Sequence, residues 1–314
     1  MGNYANIPER LIPAYRVTQE TVQLSANAPV RVQEISLSGA VAPHDHDFFE
    51  VFLVRSGTGE HRSAHGITTL IPGSVTLLAP GHVHAIQVRQ PMEGINLYFL
   101  SEWLLGETPP LAEREWIFHW ILARTLFGNQ GSTPPVQFTL PQPALRELVR
   151  DLQEIDQERR RDQASRWFLH VTLIRFLIRL SRSPTMGRST QPLPHLPVGR
   201  CSWKVMEAVE EQLRRGERIA LAPLARQCGM TRDHLARVFR RETGVTPLAY
   251  YQRRRIQVAA SQLLRQDRAI TEIAHALGFT DSAHFSRNFR QFQGETPREY
   301  RRRFSLQANN TNMV

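Results

Sequence analysis

ITEIAHALGFTDSAHFSRNFRQFQGETPREYRRR, residues 270–303, decides the reading of this chain, because LAPLARQCGMTRDHLARVFRRETGVTPLAYYQRRR, residues 221–255, runs in step with it. Leu224-Ala225, Gly229, Leu235, Arg237, Phe239-Arg240, Gly244, Thr246-Pro247 and Tyr250 recur as Ile273-Ala274, Gly278, Phe285, Arg287, Phe289-Arg290, Gly294, Thr296-Pro297 and Tyr300. The offset is 49 residues before the Gly turn and 50 after it. Each copy reads as a helix, a Gly turn and a second helix with an Arg on its polar face. That is the pattern of a helix-turn-helix, and two in tandem imply two probes for consecutive turns of DNA.

In the first copy, residues 221–228 form the short helix, Gly229 the turn, and Thr231 caps a probe helix over 231–241. Leu235, Val238 and Phe239 point to the core, leaving Arg232, Asp233, Ala236, Arg237 and Arg240 outside. In the second copy, Asp281 caps a helix over 281–292. Phe285 and Phe289 are core, while Ser282, Ala283, His284, Arg287 and Asn288 face outward. The spacer 248–265 has helical periodicity through Ile256, Ala259, Ala260, Leu263 and Leu264. At 1.5 Å per residue it spans about 27 Å, against a major-groove repeat of roughly 34–36 Å. It also carries Arg253-Arg254-Arg255, for which phosphate contact and a solvated charge run are equally open readings.

Charge follows the repeat. Residues 200–303 hold 21 Lys+Arg and 11 Asp+Glu, a net of +10, and the rest of the chain holds 18 of each. A basic domain beside a neutral one points to a polyanion-binding module attached to something else. Two cysteines, Cys201 and Cys228, give no disulfide framework, and Cys228 falls at a core position. There is no signal-like N-terminus and no run of about 18 apolar residues, so the expected location is cytoplasmic and no membrane partner is expected.

Residues 221–303 resemble the DNA-binding domain of the AraC/XylS family of bacterial transcription regulators, most specifically in IAHALGF, FSRNFRQF and GETPREYR. The resemblance implies two recognition helices in consecutive major grooves of double-stranded DNA. By position it offers Arg232, Asp233, Ala236 and Arg237 on the first and Ser282, Ala283, His284 and Arg287 on the second as base-facing residues. Arg237 and Arg287 are the candidates for gripping guanine O6 and N7. An intrahelical ion pair with Asp233 is the other role open to Arg237. The alanines fit a thymine methyl or permit close approach.

Residues 1–100 read as β. Short alternating stretches (30–37, 50–54, 74–78, 95–100) are broken at Ser56-Gly57, Pro72-Gly73 and Pro80-Gly81, as in an antiparallel barrel or sandwich. Helical pattern then covers 111–127, 142–161 and 163–182. The first long helix has a narrow stripe of Leu145, Leu148, Leu152 and Ile155. The second is apolar over much of its circumference, so one face is expected on the barrel and the other against the same helix of a second subunit, with Leu173 and Leu177 in the contact. Residues 183–199 are Pro- and Gly-rich and read as a linker.

PHDHDFFEVFLVRSGTGEH and IPGSVTLLAPGHVH, with His44, His46, Glu50 and His84, resemble the two motifs of the cupin barrel, the sensory fold of many AraC-type regulators. In metal-binding cupins the corresponding four residues grip one divalent ion. Direct contact with an effector, metal ligation and purely structural hydrogen bonding are all open to them, with direct effector contact preferred and no cofactor expected. A looser likeness to the sugar-responsive branch, carried by the same segment and by residues 96–99, points to an arabinose- or rhamnose-like effector.

The expected architecture is therefore α+β and multidomain. A cupin-like effector-binding and dimerisation domain covers 1–182, a linker 183–199, an all-α domain of two helix-turn-helix units joined by a linker helix 200–303, and a disordered tail 304–314. The resemblance implies a homodimeric, effector-responsive regulator, by family habit an activator recruiting RNA polymerase, and not an enzyme. A cupin metalloenzyme fused to a DNA-binding module and an effector-independent DNA binder are the alternatives.

Overall fold

The computed structural model describes residues 11–26, 28–107, 116–126, 135–183, 199–217, 219–265 and 268–310. It separates into two compact units, one holding the strands with two long helices, the other built of helices with the short segment Ser25–Asn27.

The first unit is built on two long strands. β4 (Phe49–Ser63) and β7 (His84–Phe99) pair antiparallel along most of their length. β6 (Ser74–Leu78) lies on the first part of β4 and β5 (Gly66–Leu70) on the last part. β2 (Val30–Leu37) pairs with the C-terminal half of β7, and β3 (Val41–His46) with its start. β1 (Tyr15–Val17) runs parallel to β3, and β8 (Val136–Thr139) closes onto β6. Long strands that change partners midway are bent strands, and they curl the sheet into the cupin-like form. Phe52, Val54, Leu70, Ile86 and Met92 fill its interior. Ser56-Gly57 does not end a strand as expected. It is a bulge within β4, where the register shifts on both sides of Ser56. Gly57 sits at φ +79°, and a Cβ there would lie 2.1 Å from the Pro91 carbonyl oxygen, so the signal that reads as a turn is a kink.

α3 (Gln142–Arg159) and α4 (Arg166–Ser181) pack on one another, and α3 also meets β2. The stripe of Leu145, Leu148, Leu152 and Ile155 is buried as its spacing implies. Asp151, buried on α3, accepts from Arg175 and Arg179 of α4, both at 2.9 Å. Burial raises the Asp151 carboxyl above its ordinary range, and the two guanidinium groups work against that rise. Leu173 and Leu177 belong to this pair's own core, at 0% and 1% exposure. They are not on the free face expected for a partner subunit. The apolar side chains that α4 leaves exposed are Trp167, Phe168 and Val171.

The second unit contains α5 (Arg200–Arg215), α6 (Leu221–Gln227), α7 (Arg232–Thr243), α8 (Pro247–Arg265), α9 (Ile270–Ala276), α10 (Ser282–Gln293) and α11 (Pro297–Asn310). α8 is its axis, packing against α5, α7, α9, α10 and α11. Gly229 and Gly278 turn the chain at φ +65° and +72°, in the left-handed region that glycine enters without a Cβ clash. α11 continues to Asn310, and Phe304 is buried, so the segment read as a disordered tail begins inside a helix. The same unit includes α1 (Ser101–Glu107) and α2 (Trp116–Leu126), which the sequence assigns to the first domain. Most of the linker 183–199 and the start of the helix read over 111–127 lie outside the described residues.

Candidate nucleic-acid interface and effector cluster

Each recognition helix is started by a side-chain cap. Thr231 accepts from the His234 N–H at 3.2 Å, and Asp281 Oδ1 accepts from the His284 N–H at 2.7 Å. That N–H also holds the Asp281 carboxyl below the usual carboxylate range. Leu235 and Phe239 anchor α7, and Phe285 and Phe289 anchor α10, all fully buried. An aromatic series steadies the second unit: Phe279 meets Phe285 at 5.0 Å between ring centroids, Phe285 meets Phe289 at 5.7 Å, and Phe289 meets Tyr300 at 5.3 Å.

With those faces buried, the opposite faces are free. On α7, Arg232, Asp233 and Arg237 are exposed and Ala236 half-buried; on α10, Ala283, His284 and Arg287 are exposed and Ser282 half-buried. The exposure pattern repeats at the fifty-residue offset of the sequence, so the two helices present equivalent surfaces. Asp233 lies 3.8 Å from Arg232, and among the described residues no ion pair joins it to Arg237. His284 packs edge-on against Phe279 at 5.7 Å. Asn288 turns back to donate to the His284 carbonyl at 2.9 Å, so it is less available than its position on the helix implies.

Arg253-Arg254-Arg255 is not a solvated run. Arg254 and Arg255 are buried. Each of the three donates to a carbonyl at the C-terminal end of another helix: Arg253 to Leu126 at 2.5 Å, Arg254 to Leu105 and Arg255 to Leu277, both at 2.9 Å. The last carbonyls of a helix lack intrahelical donors and carry the negative end of its dipole, which suits a guanidinium. Arg255 also lies 3.7 Å from the Phe279 ring centroid. These contacts replace the phosphate reading for Arg254 and Arg255.

In the first unit, His44 and His46 come from β3, Glu50 from β4 and His84 from β7, and all four are buried. Three of them converge: one ligand atom each from His46, Glu50 and His84 lies within 4.8 Å of the others. His44 stands at the edge of this focus. Its Nδ1 faces the Ala42 carbonyl at 2.9 Å, and its ring stacks on Tyr15 at 5.1 Å. His46 Nδ1 donates to the Phe48 carbonyl at 2.7 Å, which leaves its Nε2 lone pair toward Glu50 Oε2 at 3.3 Å. His84 Nδ1 pairs with His61 Nε2 at 3.3 Å. Among the described residues, the Nε2 atoms of His46 and His84 have no hydrogen-bond partner.

Burial disfavours the charged forms of His46, Glu50, His61 and His84. It pulls His46 and His61 down to about 3 and His84 well below its ordinary value. It pushes Glu50 up to about 8. Neutral rings and a protonated carboxyl donate to and accept from hydroxyl groups equally well, while converging Nε2 lone pairs beside a carboxyl fit a divalent cation.

His61 closes the segment that resembles the first cupin motif, yet the motif gives it no ligand role; H-x-S at 61–63 continues the period-2 pattern of β4. A cavity of about 650 Å³ in the same unit is lined by Ser63, His65, Thr68, Thr76 and Gln137 among others, with no acidic side chain, Lys or Arg in its wall. None of His44, His46, Glu50 and His84 lines that cavity. The registers link the two: Ser63 lies opposite His84, and Thr68 opposite His61. Directly opposed residues of antiparallel strands share a face. Gln137 donates to Thr76 across β6 and β8 at 3.1 Å.

The AraC-like ligand binding domain family matches residues 36–171, and a helix-turn-helix domain family matches residues 224–303. The HTH-type transcriptional activator RhaS of Escherichia coli (strain K12 / DH10B) is 26% identical over 284 residues, covering 88% of this chain and 93% of its own. RhaS of Salmonella arizonae is 28% identical over 287 residues with the same coverage. Among solved structures, fatty-acid-bound ToxT from Vibrio cholerae aligns over 87% of this chain and 94% of its own, at 16% identity and a TM-score of 0.40. The chain thus joins an AraC-like ligand-binding domain to a helix-turn-helix domain, and along most of its length it is homologous to the RhaS regulators.

Proposed function

We propose that this protein is a ligand-responsive transcriptional activator that reads two half-motifs one DNA turn apart with α7 and α10. The observation that carries this reading is the matched exposure of Asp233, His234 and Arg237 with Ala283, His284 and Arg287, fifty residues on, on two capped helices joined by α8. Selection from a random duplex pool with the full-length protein is expected to recover paired motifs with centres about 10 base pairs apart. Recovery of one isolated motif, or of paired motifs at no fixed spacing, would remove it. Bound beside a promoter in the cytoplasm, such a protein acts by contacting RNA polymerase. Homodimerisation through the exposed Trp167, Phe168 and Val171 of α4 supplies two such readers.

The effector reading rests on the uncharged cluster of His46, Glu50, His61 and His84 and on the hydroxyl-lined cavity, whose volume suits a small ligand and whose Ser63 and Thr68 are register partners of His84 and His61. A wall without fixed charges favours a neutral, hydroxyl-bearing molecule over an anion. A thermal-shift panel of monosaccharides, deoxysugars and fatty acids is expected to give a rise with a sugar that is lost in Thr76→Val. A response to fatty acids alone would reverse the choice of class.

A second reading is favoured by the unbonded Nε2 atoms of His46 and His84 beside Glu50: these three residues hold a divalent cation, with His61 and the Phe48 carbonyl orienting the rings. In this reading the purified protein carries about one Fe, Mn, Ni or Zn per chain. Glu50→Gln releases it without unfolding the domain, and His44→Ala retains it. Protein that neither carries nor takes up metal leaves the cluster to the effector alone.

A further inference from the structure

Residues 101–126 lie between β7 and β8 of the first unit in sequence, yet α1 and α2 pack with the DNA-binding helices. Only Leu100 separates the end of β7 from Ser101. Trp103, Leu104 and Leu105 of α1, and Trp120, Ile121, Leu122 and Leu126 of α2, are buried. Their partner is α8. The approach of α1 is close enough that a Cβ on Gly106 would lie 1.9 Å from Ser261 Oγ and 2.2 Å from Ser261 Cβ. Side-chain rotation moves the hydroxyl but not the Cβ, so no other residue fits at position 106 without α1 backing away.

Polar contacts fasten the same surface. Arg254, 2% exposed, holds Glu210 of α5 with two hydrogen bonds of 2.6 and 3.0 Å. It donates to Gln257 Oε1 at 2.8 Å and to the Leu105 carbonyl at 2.9 Å. The neighbouring Arg253 closes the end of α2 at the Leu126 carbonyl. Two adjacent side chains of the connecting helix thus cap both helices of one hairpin. A charge buried this deeply is costly unless every donor is met. Meeting them with a carboxylate, an amide and a helix-end carbonyl from three different elements locks those elements to one geometry.

We propose that the α1–α2 hairpin is a clasp on α8, and that Arg254, with Arg253 and Gly106, is a positioning residue that fixes the pitch between the two recognition helices. None of these residues need touch DNA. They act through α8, whose ends lead to α7 and α9. Two probes on one body gain from each other only while their spacing matches the duplex.

The test uses the full-length protein and two duplexes drawn from random-pool selection, one with both half-motifs and one with a single half-motif. Arg254→Met alone strands Glu210 and risks unfolding. The variants are therefore Gly106→Ala, its rescue Gly106→Ala/Ser261→Gly, and Arg254→Met/Glu210→Met, which removes the ion pair as a unit. Gly106→Ala and the Arg254/Glu210 double variant are expected to weaken two-motif binding about tenfold or more, because one probe no longer reaches its site while its partner is seated. Single-motif binding stays within about twofold, since each probe is itself intact. The Ser261→Gly partner restores two-motif affinity. Two-motif binding that stays near wild type in both variants overturns the proposal. Equal weakening on the two duplexes overturns it too, because that pattern marks a general loss of structure.

Discussion

Leu173→Asp is expected to unfold the α3–α4 pair and the domain it supports, not to convert dimers into monomers. Leu173 is completely buried between helices already tied by Asp151, Arg175 and Arg179. Removing a buried leucine side chain costs about 2–5 kcal/mol, and placing a carboxylate in the vacated apolar space adds several more. Against a domain stability of about 5–15 kcal/mol, that sum is most or all of the margin. The Asp151 carboxylate worsens the case by repelling a second negative charge inside the same helix pair. Denaturant unfolding of Leu173→Asp should show a midpoint shifted far down or no cooperative transition. Trp167→Glu/Val171→Glu alters exposed positions and should keep the wild-type midpoint to within about 1 kcal/mol, while sedimenting as a monomer. A stable, monomeric Leu173→Asp would place the subunit contact where the sequence first suggested, and a dimeric Trp167→Glu/Val171→Glu would move it off this helix.

That reversal shows where the sequence stops being legible. The 3-4-3 stripe of α3 has one apolar side, so its burial follows from spacing alone. α4 is apolar on several sides, and no periodicity says which side meets α3 and which meets solvent. The repeat made α7, α10, their caps and their glycine turns readable because two copies carry the same information. Only one copy of α8 exists, and its three arginines look identical in a string to a solvated charge run. Their partners Leu105, Leu126 and Glu210 are remote in sequence, the first two on a hairpin whose place in the helical unit no local pattern marks. In the barrel, His44, His46, Glu50 and His84 are legible as a motif, but which three converge depends on the curl of β3, β4 and β7. Ser63 and Thr68, and a site role for His61, are not legible because Ser56-Gly57 reads as a strand end when it is a bulge.

Arg287→Ala is expected to lower affinity for the selected two-motif duplex by roughly tenfold to a hundredfold, the equivalent of about 1–3 kcal/mol for a bidentate arginine–guanine contact. The side chain is exposed on α10, two residues beyond Phe285 and two before Phe289, which hold the helix from behind. Truncation there removes no buried contact, so the fold should be untouched. Direct readout and phosphate contact separate cleanly in the pattern of loss. If Arg287 reads a base, one position of the second half-motif becomes degenerate on reselection, and substituting that base pair costs the wild type about what it costs Arg287→Ala nothing to tolerate. If it meets a phosphate, every duplex weakens alike and the dependence on salt falls by about one counterion. Arg237→Ala should behave in parallel on the first half-motif, because the two helices present equivalent faces. Degeneracy at two positions one helical turn apart, one for each arginine, would tie both helices to one duplex. Uniform weakening in both variants would assign the arginines to the backbone and pass base selection to Arg232, Ser282 and His284.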